Sequence, residues 1–287
     1  MQLLTIDDLH APNNDWKPLL EHVAVLQTIY EQYKARYRSA RKFEVYMSGD
    51  GDRAPGLHAS ELCGCLRQAT YSLHGTPKDA DVENTDTNML RRFDIGACVH
   101  ALLQDDFQRM CMGTNGRIVF DHEIRIDAST NPLAAKYEIS SSCDGAFTFY
   151  NEQDRPYLRV GLEIKTMSGD EYIKAKKPKE VHITQGTLYQ KFIDLPLIWY
   201  LYYNKSNSNY TPPLFPWIVP FDKNTWNRLE SKAQQAHSFR AQGGLPEREE
   251  GMPCSWCAYA KTCGPKYLTM NRGPVMPVPA TRARRLT

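Results

Sequence analysis

Apolar positions recur every three or four residues between residues 16 and 43, at Leu19, Leu20, Val23, Leu26, Ile29, Tyr30 and Tyr33, so the chain opens on an amphipathic helix. The run "GDRAP" at 51–55 breaks it. In "LHASELCGCLRQATYSLHG" (57–75) the pattern predicts a helix from an N-cap at Ser60 to Leu73, with Gly75 beyond its end. Polar and acidic residues 78–88 read as a loop. Helical spacing returns at Met89–Met110, where Phe93, Ala97, His100 and Leu103 fall along one side.

The period then shortens to alternation. "RIVFDHEIRI" (117–126), "EISSSCDGAFTFY" (138–150) and "YLRVGLEIKTM" (157–167) have strand composition and are separated by polar turns. Residues 178–193 read as a helix with Pro178 near its start, Leu197–Tyr203 as a strand with Pro216–Val219 as its neighbour, and 222–241 as a last long helix stopped by Gly243 and Gly244. This order predicts an N-terminal helical segment (1–54), an α/β domain (55–270) and a flexible basic tail (271–287).

At 287 residues, 41% hydrophobic and 24% charged, the chain can bury a real core and is not a disordered tail protein. With 35 basic and 33 acidic residues the net charge is +2, so any nucleic-acid surface must come from local clustering. No stretch reaches the ~18 apolar residues of a membrane span. The acidic, proline-containing start "MQLLTIDDLHAPNNDW" is unlike a signal peptide, and a cytoplasmic protein is expected. Eight cysteines in that compartment do not make a disulfide framework. Cys98, Cys111 and Cys143 stand singly and read as small buried hydrophobes. The others cluster: Cys63 and Cys65, then Cys254, Cys257 and Cys263 in "CSWCAYAKTC", three soft ligands for which zinc is the default metal on spacing alone.

The chemistry gathers around "GLEIKTMSGD" (161–170). In a strand, Glu163 and Lys165 share a face while Ile164 packs on the other. Alone they would be a surface ion pair. Asp144, in "SSSCDGAFTF", begins a strand able to form a hairpin with this one. Two carboxylates and the Ile164 carbonyl would then suit a hard divalent cation, Mg2+ or Mn2+. Lys165 would face the same pocket, placed to orient a water or offset charge on a phosphate, which is the set that phosphodiester hydrolysis needs.

Asp followed by Glu-x-Lys across a hairpin resembles the core of the PD-(D/E)XK nuclease superfamily, and further residues resemble its RecB-like branch. "GACVHALL" is similar to that branch's helical motif with a metal-binding histidine, here His100. "QGTLYQ" looks like its Gln-x-x-x-Tyr motif, Gln185 and Tyr189, and "SELCGCLRQATY" looks like the motif joining Ser60, Cys65, Arg67 and Tyr71. The resemblance spans residues 57 to 265. It implies a restriction-endonuclease-like fold, a mixed central sheet flanked by helices. Resemblance to Cas4-like proteins further implies a 4Fe-4S cluster on Cys65, Cys254, Cys257 and Cys263, stapling a helical subregion, with Cys63 as the nearby substitute for Cys65. Leu66 stands where that family often has proline, and Cys143 directly precedes Asp144.

The implied activity is metal-dependent exonucleolytic cleavage of DNA, preferably of single-stranded ends, with His100, Asp144, Glu163 and Ile164 holding the metal and Lys165, Gln185 and Tyr189 completing the site. Arg67 and Lys205 are the implied DNA contacts. Arg91, Arg92, Lys174, Lys176, Lys177 and Lys191 are further cationic candidates, and Tyr71, Tyr172 and Trp199 are candidate stacking platforms. Relatives of this kind occur in phages and CRISPR adaptation systems. No G-x-x-x-x-G-K-[ST] loop is present, so a helicase, recombination or adaptation protein would be a partner, and ring-forming homo-oligomers are compatible. The alternative is a non-catalytic, nuclease-like DNA-binding or adaptor subunit.

Overall fold

The computed structural model describes residues 19–36, 56–79, 87–205, 214–249, 252, 254 and 257–264. The expected domain limits at 54/55 and 270/271 lie outside these residues. The first helix, α1 (Leu19–Arg36), is followed by a short β1 (Leu57–His58) and then by two helices where one was expected. These are α2 (Ala59–Leu62) and α3 (Leu66–Leu73), separated by Cys63–Cys65. Ser60 is therefore not the cap: His58 holds the N-cap position of α2, its amide donating to the Glu61 carboxylate at 3.1 Å, and Cys65 opens α3. Gly75 follows α3 at φ +64°, the left-handed conformation glycine tolerates.

Helix α4 (Thr87–Met112) leads into β2 (Ile118–Ile126), α5 (Pro132–Tyr137), β3 (Ile139–Tyr150) and β4 (Pro156–Met167). Then come α6 (Gly169–Lys174), α7 (Glu180–Ile193), β5 (Leu197–Asn204), β6 (Leu214–Pro220), α8 (Lys223–Ala241) and the one-turn α9 (Ala260–Cys263). Asn131 and Asp222 cap α5 and α8 by accepting two backbone amides each. Within α4 the buried stripe is Val99, Leu103, Phe107 and Met110. Phe93, which the spacing put on one side with Leu103, is 60% exposed while Leu103 is buried.

The strands form one mixed six-stranded sheet. β2 and β4 run antiparallel to β3, β5 runs parallel to β4, β6 runs antiparallel to β5, and β1 pairs in parallel with the start of β3. Both faces are covered. Along β5, Ile198, Tyr200 and Tyr202 enter the core under α7 and α8, while Leu197, Trp199 and Leu201 enter the core shared with α1 and α4. Such unbroken apolar runs are what a strand buried on both sides requires. No described helix is long and apolar enough to cross a membrane.

Side-chain parity reverses within β2 and β3. Ile118 and Phe120 face the α1/α4 side, but Ile124 and Ile126 face the other; Phe147 and Phe149 face the α1/α4 side, but Ile139 and Cys143 do not. The turnover falls at Glu123, whose φ is +49°, and its register partner position Asp144, while the pairings on either side keep one register. Irregularities of this kind re-aim a side chain beside a site.

Candidate active site

β3 and β4 make the hairpin that the site requires: the ladder runs to Gly145 opposite Leu162, and the next two residues are Asp144 and Glu163. There the Asp144 carboxylate takes over from the backbone, its Oδ2 accepting the Ile164 amide at 2.6 Å. Its Oδ1 lies 3.3 Å from His100 Nδ1 on α4. Gln104, one turn further along α4, donates to the Asp144 carbonyl at 2.9 Å and to Glu123 at 2.7 Å, tying helix, β2 and β3 together. Gly145 is obligatory beside Asp144, since a Cβ would stand 2.5 Å from the Phe120 ring.

Glu163 is 1% exposed. Its Oε1 is 2.5 Å from Lys165 Nζ, and its Oε2 is buried with no hydrogen-bond partner. Lys165 also donates to Gln185 Oε1 at 3.1 Å, and Gln185 Nε2 donates to the Tyr189 hydroxyl at 2.6 Å. An ammonium only donates, so this chain fixes which way the Gln185 amide points. Gln185 and Tyr189 reach the sheet because α7 lies almost on it: a Cβ at Gly186 would fall 1.9 Å from the Tyr200 hydroxyl. Lys205 follows β5 at the same end of the sheet, its amide bonded to the Met167 carbonyl at 2.9 Å.

The electrostatics separate the two carboxyls. Burial pushes Glu163 up to about 7, with Lys165 pulling it down and Asp144 pushing it up. Burial also disfavours charge on Asp144, but the neighbouring His100, Lys165 and the Ile164 amide outweigh it and hold Asp144 below the usual carboxylate range. His100 and Lys165 are correspondingly raised, burial opposing and the carboxylates prevailing.

The cysteines divide in space. Cys65, Cys254, Cys257 and Cys263 line one cavity of about 130 Å³ together with Arg67, Tyr71, Arg248 and Tyr259. Cys63 does not line it; it is packed on the core on the Glu163 and Lys165 side, where burial pushes its thiol up to about 12. Burial, then proximity to the other thiols, raises Cys254 and Cys257. Arg67 belongs to this cavity: it donates to the Pro246 carbonyl at 2.6 Å, lies 5.6 Å over the Tyr71 ring and is held charged beside Tyr71 and Cys263 in spite of burial.

Among the described residues no three His, Cys, Asp or Glu side chains stand as a metal-ligating group in their present positions. The donor sets nevertheless fit the two implied groups. Glu163 Oε2 is a buried oxygen lacking a partner, with an imidazole and a second carboxylate at hand, which suits a hard cation. In a 4Fe-4S cluster each cysteine ligates a different iron, so four thiols spread around one cavity suit it better than four thiols meeting at a point.

Several sequence expectations change. Trp199, Tyr172 and Tyr71 are buried, at 2%, 4% and 6%, so none is a stacking platform; Tyr71 stacks on Tyr259 instead. Of the three solitary cysteines, Cys111 and Cys143 are buried but Cys98 is exposed. Gln104 and Glu123 escaped notice because a lone Gln and a strand Glu carry no pattern.

No protein-family model matches the chain, and no curated protein matches it. Among solved structures, the protein SSO0001 is 12% identical, with 83% of this chain and 96% of that one covered and a TM-score of 0.40. The alkaline exonuclease LHK-Exo of Laribacter hongkongensis is 15% identical, with 67% and 91% covered and a TM-score of 0.39. Its complex with dAMP gives 16%, 64%, 91% and 0.35. Likenesses of this size decide neither family nor activity.

Proposed function

We propose that this protein is a metal-dependent DNA nuclease, a Cas4-like exonuclease of the PD-(D/E)XK kind that works on single-stranded ends with Mg2+ or Mn2+ and carries a 4Fe-4S cluster. The observation that carries this reading is the buried Glu163–Lys165 contact facing Asp144, with Glu163 Oε2 left without a partner. Packing does not account for it. A buried ion pair contributes little to stability, and a buried orphan oxygen costs ~1–3 kcal/mol, so the arrangement makes sense as a site.

A divalent cation held by His100, Asp144, Glu163 and the Ile164 carbonyl would supply charge and Lewis acidity to the scissile phosphate. The chain's own residues do the positioning. Lys165 is the member of the pair open to solvent, 23% exposed against 2% for the Glu163 side chain, so its ammonium can donate to an attacking water or a phosphate oxygen. Gln185 holds that ammonium in place, and Tyr189 holds Gln185. The cluster would fasten the segment around Cys65 to the segment around Cys257, with Arg67 offsetting its negative charge.

The test is cleavage of end-labelled single-stranded and duplex DNA by anaerobically purified protein in Mg2+, Mn2+ or EDTA, beside Lys165→Ala. Metal-dependent shortening from one end, absent in the variant, supports the nuclease. Binding without cleavage in every metal points to the adaptor. A brown protein that Cys257→Ala bleaches supports the cluster, whereas a colourless zinc-loaded one refutes it.

A further inference from the structure

His182 lies on α7 one turn before Gln185 and two turns before Tyr189, on the same face of the helix. Its ring meets Tyr202 edge-on, with centroids 5.5 Å apart, and its Nδ1 is 2.6 Å from the Tyr202 hydroxyl. Tyr202 pairs in register with Lys165 across the parallel β4–β5 ladder, so both side chains stand on one face of the sheet. The row of functional groups at Glu163 and Lys165 therefore continues sideways through Tyr202 to His182.

The Tyr202 hydroxyl accepts the Lys179 amide at 2.9 Å and keeps its own proton to give, so it can donate to His182 Nδ1. In the tautomer that uses this donor, Nδ1 accepts and Nε2 carries the ring proton. Burial first, then Lys165 and Lys179, push the imidazole down to about 3, with Glu171 opposing weakly. The groups facing it are thus Lys165 on β4, Tyr202 on β5, Lys179 at the start of α7 and Glu171 on α6. His182 is half-buried, and among the described residues no protein acceptor is recorded for Nε2. A neutral, oriented N–H beside a lysine is a donor for an anionic oxygen.

We propose that His182 is a substrate-binding residue: its Nε2–H, oriented by Tyr202, donates to a non-bridging oxygen of the phosphate next to the scissile one. This rests on the nuclease reading of the same site. A neutral donor suits that place because it binds the phosphate without competing with Lys165 for Glu163.

The experiment is single-turnover cleavage of single-stranded DNA carrying one neutral methylphosphonate at a time, scanned across the cleavage point. Wild type, His182→Ala, His182→Gln and Tyr202→Phe are compared. In wild type one position beside the scissile phosphate should slow cleavage about tenfold, the worth of one hydrogen bond to a charged group. His182→Ala should cleave all-phosphate DNA about tenfold more slowly and lose its sensitivity at that position alone. His182→Gln, which keeps a donor, should recover part of the rate, and Tyr202→Phe should fall between. Equal sensitivity in wild type and His182→Ala at every position, or a rate unchanged by His182→Ala, overturns the proposal while the nuclease stands. No cleavage by wild type in any metal overturns both.

Discussion

Lys165 Nζ touches only one oxygen of Glu163, leaving the other buried and unbonded. The pair is therefore half-used by the protein itself. Removing either member should stop the chemistry without unfolding the chain: Lys165→Ala and Glu163→Gln should each reduce single-turnover cleavage by at least about 100-fold, the scale of losing one preorganised charge. Near-native circular dichroism should accompany the loss. Cleavage within a few-fold of wild type in both would remove the site.

Glu163 sets the pH response. Its folded value of about 7 lies above the ordinary 4.5, so between those values the folded chain holds a proton that the unfolded chain has released. Without a cation its contribution to stability is present below about 4.5 and is lost as pH rises toward 7. A cation needs Glu163 as the carboxylate and His100, also raised, as the neutral imidazole, so its affinity should climb with pH and level off only once both have lost their protons. Mn2+ titrations followed by thermal melting at several pH values check both limbs; a flat affinity would exclude Glu163 as a ligand.

Gly186 sets how closely α7 approaches the sheet. Gly186→Ala should cost about 1–3 kcal/mol by overpacking against Tyr200 and, by lifting Gln185 from Lys165, should slow cleavage as well. Tyr200→Phe in the same chain should restore part of the stability, because the hydroxyl is the nearest atom met. Urea unfolding of wild type, Gly186→Ala, Tyr200→Phe and the double variant reads the coupling.

Asp79 grips the cysteine segment from far away in sequence. It accepts the Lys261 amide at 2.6 Å, the Thr262 amide at 3.2 Å and the Thr262 hydroxyl at 2.6 Å, serving α9 as a cap. Asp79→Ala should cost about 1 kcal/mol and speed chelator-driven loss of visible absorbance, with DNA cleavage by intact protein unchanged. Unaltered bleaching would show that α9 does not need this anchor.

Much of this was legible beforehand because the relevant signals are local. The three alternating segments became β2, β3 and β4, the run at Leu197 became a strand buried on both faces, and Glu163 and Lys165 share a face by strand geometry alone. The parts that escaped depend on tertiary context. The break at Cys63–Cys65 has no helix-ending residue except Gly64 and follows the approach of Lys232 and Glu249 to that backbone. Phe93 is exposed together with the rest of residues 91–95, ahead of the buried stripe of α4 that starts at Val99. The parity reversal at Glu123 and Asp144 needs a left-handed glutamate that no propensity predicts.

The ties around the cysteine cavity have a consequence for synthesis. Leu66 to Glu249, Arg67 to Pro246, Gly64 to Lys232 and Asp79 to Lys261 join residues 168 to 183 positions apart. A chain emerging from the ribosome at 5–20 residues per second completes the Cys65 segment some 10–40 s before its partners appear. For that interval Cys63 and Cys65 wait without the segment that carries Cys254, Cys257 and Cys263.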